Sequence, residues 1–341
     1  MKKLLFVSTT PSSFHEPMLR AFKQLGFIVS IIDFRDNPIL KTDNLIHKLV
    51  GKMPSGAATY LKNAANKSIA LKILKFARTF SPDFVVFVRF PEMDLAILDE
   101  LRKLVITINY YPETMDQWGL IKKIAPHYDY FLNYDSLVVE LLNKAGIGRA
   151  LYVPFSADLD PTTQWSAPEK FKYNITFIGT YYKKLYAERE VILNAVKDLG
   201  LNIWGNKAWL DTSLRDYYRG HPSIEAMADI YRNSCIGINA DISTKVAGTG
   251  VNLRPFEVTA AGVMLLNRDD RGDIFNLFKA NEEFVSFHDA ADVRRKAEYY
   301  LTNTDERNKI AKAGFERAKQ EHTYLKRFNQ AFNLIAKSSH Q

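Results

Sequence analysis

The hydrophobic pattern of the first half of the chain alternates short apolar runs with amphipathic stretches. Short apolar runs between polar turns predict buried β-strands, and they fall at 3–8, 27–33, 84–88, 105–109, 130–133 and 151–153. Amphipathic stretches predict helices at 15–25, at 95–103, and over 41–80 with a break at 53–56. Strands that alternate with helices favour a parallel, doubly wound sheet with right-handed crossovers. The first half is therefore predicted to form one Rossmann-like domain.

The pattern lapses between Pro154 and Pro168, where three prolines and no apolar period occur. Such a stretch is typical of a domain boundary. The alternation then resumes with predicted strands at 175–178, 201–204, 236–239, 263–266 and 284–287. Helices are predicted at 184–199, 224–233, 255–261 and 289–302, followed by a charged helical stretch over 305–337. We predict two Rossmann-like domains, 1–157 and 169–320.

The length and composition are those of a soluble two-domain protein. The chain has 341 residues, of which 47% are apolar and 25% are charged, as in ordinary globular proteins. Its single cysteine, Cys235, excludes an internal disulfide and fits a reducing compartment. No apolar run reaches the roughly 18 residues that span a bilayer, and the N-terminus predicts a strand rather than a signal peptide. We expect a cytoplasmic protein.

The net charge is concentrated in residues 41–78, which carry seven of the eight net positive charges. A strongly basic face attracts phosphate groups or an anionic membrane surface, although a solvated helix face is the simpler interpretation. Ile69, Ile73, Phe76 and Phe80 fall on one helical stripe within this segment. That stripe is able either to pack on the domain core or to rest on a bilayer. An acceptor that is lipid-linked or itself anionic would explain both features.

The stretch 245–267 carries the most informative chemistry. Gly248 and Gly250 precede Pro255, which suits the first turn of a helix. Gly262 is expected to end that short helix before a buried strand. A helix N-terminus reached through a glycine-rich loop favours phosphate. Arg254 at this position and Glu257 one turn later are the pair that a nucleotide diphosphate needs.

At these residues the sequence resembles the CgeB-like bacterial glycosyltransferases, which are GT-B enzymes. The resemblance rests on the run N-x-R-x-F-E-x-x-x-x-G followed by an apolar strand. It covers the C-terminal half well and the N-terminal half only weakly. It extends through the segments ITFIG at 175–179, Arg189, WG at 204–205, SCIGIN at 234–239, 284–287 and His322–Arg327.

The resemblance implies a GT-B fold, in which two Rossmann-like domains face a cleft and the last helix, here 321–341, crosses back to the first domain. The N-terminal domain would bind the acceptor and the C-terminal domain a nucleotide-diphosphate sugar, with no metal or other cofactor. Glu257 would hold the nucleotide ribose, and Thr249 stands where related enzymes have a second glutamate. The implied donor-binding residues are Gly179, Thr180, Arg189, Gly205, Thr249, Gly250, Asn252, Arg254 and Glu257, with Lys184 as an alternative cation to Arg189.

Candidate acceptor-side residues follow two strands of the first domain. His15 lies in an H-x-P setting similar to that of one inverting branch, and an imidazole is well placed to act as a base near neutral pH. The loop 109–118 supplies Glu113 and Asp116 as alternative bases. Tyr111 and Trp118 in the same loop are able to stack on a sugar ring.

Several patterns resemble motifs but are weak. The D-x-D at 158–160 lies in the proline-rich linker, Asp269 and Asp270 follow a strand in a turn, and Gly248-Thr249-Gly250 is far from the first β-α unit. The sequence therefore predicts a metal-independent glycosyltransferase. A nucleotide-sugar 2-epimerase of the same fold and a non-catalytic glycan- or nucleotide-binding protein are the alternatives. Nucleic-acid binding is disfavoured because no nucleic-acid module accompanies the basic segment.

Overall fold

The computed structural model describes residues 1–10, 12, 14–41, 44–90, 93–241 and 247–338. The chain divides into two compact units. The first contains residues 1–153 and those from Phe328 onward, and the second contains Pro154–Arg327. The proline-rich stretch 154–168 belongs to the second unit.

The first unit is built on a six-stranded parallel sheet, so the predicted doubly wound architecture is confirmed. Its strand order is β2-β1-β3-β4-β5-β6. Leu4, Leu5, Phe6 and Val7 of the inner strand β1 are fully buried, because helices cover both faces of a parallel sheet. The strands are β1 (Lys3–Ser8), β2 (Ile28–Asp33), β3 (Phe84–Val88), β4 (Ile106–Tyr110), β5 (Tyr130–Asn133) and β6 (Ala150–Tyr152).

Six α-helices precede the second unit in the described part of the chain, and two of them lie outside the helices that the sequence predicted. Helix α6 begins at a cap that was available in the sequence, because the carboxylate of Asp135 accepts a hydrogen bond from the amide of Leu137 (3.0 Å). Helix α5 has only seven residues and no side-chain cap. The helices are α1 (His15–Gln24), α2 (Leu45–Gly51), α3 (Ser55–Phe80), α4 (Leu95–Arg102), α5 (Trp118–Ile124) and α6 (Ser136–Lys144).

The predicted stripe on the basic segment packs on the core of the first unit. Ile69 and Ile73 of α3 are buried, and Phe76 packs against the same cluster. The apolar stripe is therefore explained by packing alone. Other apolar side chains of this segment are exposed instead, among them Leu45 and Leu49 of α2.

The second unit has a five-stranded parallel sheet of order β11-β10-β9-β7-β8. The strands are β7 (Tyr173–Ile178), β8 (Leu201–Trp204), β9 (Ser234–Asn239), β10 (Met264–Arg268) and β11 (Val285–Phe287). The helices are α7 (Lys183–Asn194), α8 (Ile224–Arg232), α9 (Arg254–Ala260), α10 (Ile274–Leu277), α11 (Ala290–Thr302) and α12 (Thr304–Glu321). Cys235 on β9 is partly buried and is a free thiol.

The last helix, α13 (Tyr324–Ser338), packs its C-terminal part within the first unit. The ring of Phe328 lies 4.8 Å from that of Phe22, and the ring of Phe332 lies 5.1 Å from that of Phe84. The predicted helical stretch 305–337 is thus two helices, separated at His322 and Thr323. None of the helices in the described ranges is long and apolar enough to cross a bilayer.

Candidate functional site

The second sheet reverses its strand order between β7 and β9. The chain passes from β7 to β8 on one side, and then to β9 on the other. Ligands of open parallel sheets bind beyond the carboxyl ends of the strands at such a switch point. Here those ends are Ile178 on β7 and Asn239 on β9. The topology alone therefore marks this edge as the place to examine first.

Arg254 joins the two strands at the switch point. Its Nε donates a hydrogen bond to the carbonyl of Ile178, and its Nη1 donates to the Oδ1 of Asn239 (2.8 Å). The guanidinium also lies over the ring of Phe177, 4.7 Å from the ring centroid. Two directional hydrogen bonds and a stacked face hold this cation in one orientation.

Asn252 explains the N-x-R spacing of the motif. Its Nδ2 donates to the Oδ1 of Asn239 (3.0 Å), which also accepts from Arg254. Its own Oδ1 accepts from the amide of Arg254 (3.1 Å). Asn239 in turn donates to Asn267 at the end of β10 (2.7 Å). Asn239 and Asn267 are buried members of the network that our sequence-based site did not include, although Asn239 ends the SCIGIN run.

The helix that starts at Arg254 does not present free amide groups, contrary to the sequence-based argument. The amide of Arg254 is capped by Asn252, and Pro255 has none. The amides of Phe256 and Glu257 both donate to the carbonyl of Leu253 (3.1 and 3.2 Å). Anion binding at this edge must therefore depend on side-chain cations rather than on the helix terminus.

Gly179 and Gly205 lack side chains because the network occupies the space that a Cβ would need. A Cβ on Gly179 would lie 2.6 Å from the Nη2 of Arg254. A Cβ on Gly205 would lie 2.0 Å from the carbonyl oxygen of Gly179. That carbonyl also accepts a hydrogen bond from the indole of Trp209 (2.8 Å). The two glycines and Arg254 thus form one close-packed unit.

Arg189 is buried and acts as a clamp, so it is neither a surface ion pair nor an exposed phosphate ligand. Its Nε donates to the carbonyl of Ala240 (2.7 Å), and its Nη1 donates to the carbonyl of Thr180. Burial and the neighbouring Arg254 lower its pKa to about 9. Arg189 therefore positions the Gly179–Thr180 loop against the end of β9. The alternative cation, Lys184, is exposed.

Glu257 offers a carboxylate beside this cation. It accepts no hydrogen bond from any residue within the described ranges, and burial raises its pKa while Arg254 partly offsets the rise. Burial raises the pKa of the Tyr231 hydroxyl on α8, and the charges of Arg254 and Glu257 also act on it. A hydroxyl-bearing ligand would satisfy the carboxylate.

The glycine loop is tied down beside Glu257 and Arg254. Lys245 and Val246, which open the motif, lie outside the described residues. The carbonyls of Gly248 and Thr249 accept hydrogen bonds from the Nη1 of Arg271 (3.0 Å) and the amide of Asp273 (3.1 Å). Gly248 has a φ of 137°, which favours glycine, whereas Gly250 is not in the left-handed region.

Asp270 is a further polar residue that the sequence analysis treated as part of a simple turn. Both of its carboxylate oxygens are buried and accept no hydrogen bond from the described residues. Among the described residues the nearest cation is Arg268, whose Nε lies 3.6 Å from the Oδ2 of Asp270. Burial and the neighbouring Asp241 raise the pKa of Asp270 to about 6. Only the tertiary structure reveals this residue, since no motif contains it.

The first sheet reverses between β1 and β3, where the structure places His15. Its ring stacks on Phe6 at 5.2 Å, and its Nδ1 is hydrogen-bonded to the hydroxyl of Ser8 at the end of β1. Burial lowers its pKa, partly offset by Glu16 and Asp33. His15 is therefore a buried, oriented and largely neutral imidazole at neutral pH, which are the properties that a general base needs.

The other acceptor-side candidates are less well placed. Glu113 is ion-paired with Arg89, a non-glycine residue with a φ of 52° at the end of β3. Asp116 is exposed and hydrogen-bonds only within its own turn, to Thr114 and Gln117. Tyr111 is buried in the core, so the prediction that it stacks on a sugar is wrong. Trp118 is partly buried and packs against the same core.

Comparisons with known proteins give the fold. Residues 188–333 match the family model described as "Glycosyl transferase-like". A glycosyltransferase from Rickettsia africae superposes with a TM-score of 0.64 and 14% identity over 98% of both chains. HepE of Anabaena, solved in complex with UDP-glucose, gives a TM-score of 0.62 and 8% identity over 99% of this chain and 100% of that one.

This chain has the GT-B fold. A putative UDP-N-acetylglucosamine 2-epimerase from Listeria monocytogenes shares it, with a TM-score of 0.59 and 11% identity over 100% of this chain and 97% of that one. No protein with a curated function matches the sequence. The GT-B resemblance is thus confirmed, while the CgeB-like branch stays a prediction. No cluster of three or more His, Cys, Asp or Glu residues suited to a metal occurs among the residues described.

Proposed function

We propose that this chain is a cytoplasmic, metal-independent glycosyltransferase of polysaccharide biosynthesis. It moves a sugar from a nucleotide-diphosphate donor to a glycan, a lipid-linked acceptor or another cell-surface polymer. The second unit binds the donor, and the first unit binds the acceptor. The observation that carries the proposal is the fixed guanidinium of Arg254 at the β7/β9 switch point, with the carboxylate of Glu257 beside it.

The chemistry of a nucleotide-diphosphate sugar fits this pair. Diphosphate oxygens accept hydrogen bonds from a guanidinium more tightly than from a neutral donor. Ribose hydroxyls donate to a carboxylate, and Glu257 has unfilled acceptor positions for them among the described residues. HepE of Anabaena has the same fold and was solved with such a ligand, which supports the assignment of the donor class.

The transfer step requires charge stabilisation and a base. When the glycosidic bond of the donor breaks, negative charge develops on the leaving diphosphate, and the preorganised Arg254 would stabilise it in place of a metal ion. His15 would take the proton of the acceptor hydroxyl through Nε2, because Ser8 occupies Nδ1. Arg189 acts through the Gly179–Thr180 loop and does not contact the donor.

A panel of nucleotide sugars screened by thermal shift tests the donor class, because a ligand that binds the folded state raises its apparent stability. The best ligand is then measured by calorimetry against Arg254→Ala and Glu257→Ala. We expect each variant to lose about 1.5–3 kcal/mol of binding free energy, or ten- to a hundredfold in affinity.

Arg254→Lys separates folding from binding, since it keeps the charge but not the directional fork. Arg232→Ala is the matched control. Arg232 lies on α8 and forms an exposed ion pair with Asp229 (2.9 Å), so its loss should leave donor affinity unchanged. Wild-type affinity for the nucleotide diphosphate in folded Arg254 and Glu257 variants would overturn the donor-site assignment.

An epimerase is the second candidate, because the Listeria protein shares the fold over the whole chain. Epimerisation consumes no acceptor, so product analysis distinguishes the two reactions. Incubation of the enzyme with the donor alone should leave the configuration of the sugar at C2 unchanged. Inversion at C2 without an acceptor would replace the transferase proposal by the epimerase.

A further inference from the structure

The first unit contains an open cavity of about 460 Å³ bounded by α3, α4 and α5. Met93 and Asp94 from the segment after β3 contribute to its wall. No residue assigned to donor binding or catalysis lines it.

The wall of the cavity is divided by chemistry. One part is polar and cationic, with Lys67 and Asn66 from α3 and Lys123 from α5. The other part is apolar and includes Leu98 and Ile124, which belong to the buried core. A ligand that fills such a cavity needs both an anionic group and an apolar portion.

The two lysines form no ion pair among the described residues. Neither Lys67 nor Lys123 forms an ion pair or a hydrogen bond with any residue in the described part of the chain, and both are exposed. The wall also contains the carboxylate of Asp94, whose Oδ1 accepts a hydrogen bond from the amide of Ile97 and caps α4 (3.2 Å), so the described lining keeps more positive than negative charge. The positive charge is thus available to a ligand.

The apolar wall of the cavity favours an amphiphile over a simple soluble anion, and further exposed apolar side chains lie on α2 and α3. Helix α2 precedes α3 and contacts it, and its Leu45 and Leu49 are 70% and 54% exposed. Tyr60, on the first turns of α3, is 73% exposed. A small soluble anion would need no apolar surface next to its site, whereas an alkyl chain would bury it.

We infer that this cavity binds a phosphate ester attached to an apolar chain, with Lys67 and Lys123 on the phosphate and the Leu98–Ile124 wall on the chain. The inference rests on the proposed function only in naming this amphiphile as the acceptor. Phosphate binding by the first unit is independent of donor binding by the second.

The test uses the full-length protein and decyl phosphate as the probe, measured by calorimetry at low salt, where charge attraction is strongest. Lys67→Gln combined with Lys123→Gln should weaken binding at least tenfold. The matched control combines Lys48→Gln with Lys75→Gln, which removes the same charge from exposed positions of α2 and α3 that do not line the cavity. The control should bind like the wild type.

Three results would overturn the inference: no binding of decyl phosphate, an equal loss in the control, or inorganic phosphate binding as tightly as the ester. Sedimentation with phosphatidylcholine vesicles that contain phosphatidic acid tests whether the amphiphile is taken from a bilayer. Loss of sedimentation in the cavity variant alone supports the inference, and equal loss in the control contradicts it.

The same samples distinguish this inference from the proposed function. UDP and nucleotide sugars are titrated into the cavity variant in parallel. If the protein binds the donor but not decyl phosphate, only the proposed cavity site is ruled out. Decyl phosphate binding without any nucleotide binding would remove the glycosyltransferase proposal and leave the cavity site standing.

Discussion

The two sheets carry polar residues at their carboxyl edges in different ways. At the second edge, Arg254 and Arg189 donate to backbone carbonyls at the ends of β7 and β9, and Gly179 and Gly205 leave room for them. At the first edge, His15 is oriented by Ser8, whereas Asp116 is exposed and bonded only within its turn.

The two edges differ in how far their side chains are preorganised in the absence of a ligand. A network in which each group has several partners holds its charges in place, so little conformational freedom is lost when a ligand binds. Exposed side chains that bond only within their own turn, such as Asp116, change conformation more easily when a ligand binds. The second edge is therefore the more rigidly built of the two, and under the proposed function it would hold the constant diphosphate of the donor while the first edge takes the acceptor.

The largest expected effect tests whether the first edge is catalytic at all. His15→Ala should lower turnover by roughly 10²–10⁴-fold with little change in donor affinity, as for loss of a general base. The kcat/KM of the wild type should fall on the acid side of neutral, where an imidazole of lowered pKa finally takes up a proton. Asp116→Asn, at the exposed alternative base, is measured in parallel and should lower turnover less than His15→Ala.

Ser8→Ala refines the same comparison. Ser8 is a positioning residue, so its loss should lower turnover less than the loss of His15 and should alter the acid limb of the pH profile. If His15→Ala reduces turnover by less than threefold, His15 is only a helix-start residue. Glu113→Gln then becomes the next variant to measure.

Asp270→Asn tests the electrostatics of the second edge. The pKa of Asp270 is raised to about 6 in the folded state from an unfolded value of 3.8, so the carboxyl stays protonated up to a higher pH in the fold. The ionised carboxylate thus destabilises the fold progressively from about pH 4 to pH 6. At pH 7.5 the variant should be more stable by up to about 3 kcal/mol.

Denaturant unfolding at pH 7.5 and pH 4.5 measures this effect. The gain from Asp270→Asn should shrink at the lower pH, because the wild-type carboxyl is then largely protonated in the fold. Asp269→Asn is the control, since Asp269 is more exposed and pairs with the exposed His288. An equal gain in stability at both pH values would mean that burial does not raise the pKa of Asp270.

The smallest expected effect tests the close packing of the glycine network. Gly205→Ala should cost about 1–3 kcal/mol of stability, because its Cβ would meet the Gly179 carbonyl. Donor affinity should fall in parallel, since that carbonyl belongs to the Arg254 loop. Gly119→Ala in α5 meets no atom within 4 Å and should be neutral or slightly stabilising. Equal thermal stability of Gly205→Ala and wild type would argue against the packing.

His322 makes the second unit less stable as the pH falls below about 6.5, because the fold opposes protonation of its buried ring. Burial, aided by Arg327, lowers its pKa to about 3, and its ring is hydrogen-bonded to the carbonyl of Leu277 (2.8 Å). His322 and Arg327 belonged to the resemblance, but the structure gives them a packing role, because the neutral imidazole bridges to α10.

Pattern and spacing predicted the strands and most helices because strand burial and helix amphipathicity are local properties of a sequence. The motif N-x-R was also readable, because Asn252 and Arg254 contact the same residue and must keep their spacing. Helix α5 was missed because seven residues carry too little periodicity, and α6 because its Asp135 cap was overlooked.

The sequence alone determined the order of the elements, the two Rossmann-like halves and the identity of the central motif. Tertiary structure decided which charged side chains are buried, which are hydrogen-bonded within the protein and which are free to contact a ligand. The first amides of α9 are already hydrogen-bonded, and Arg189 donates to backbone carbonyls instead of facing solvent. The carboxylate of Asp270 is buried without a hydrogen-bond partner among the described residues. The physical reason is that desolvation and hydrogen-bond partners depend on residues distant in the chain, such as Ile178 and Arg254, and no local pattern records them.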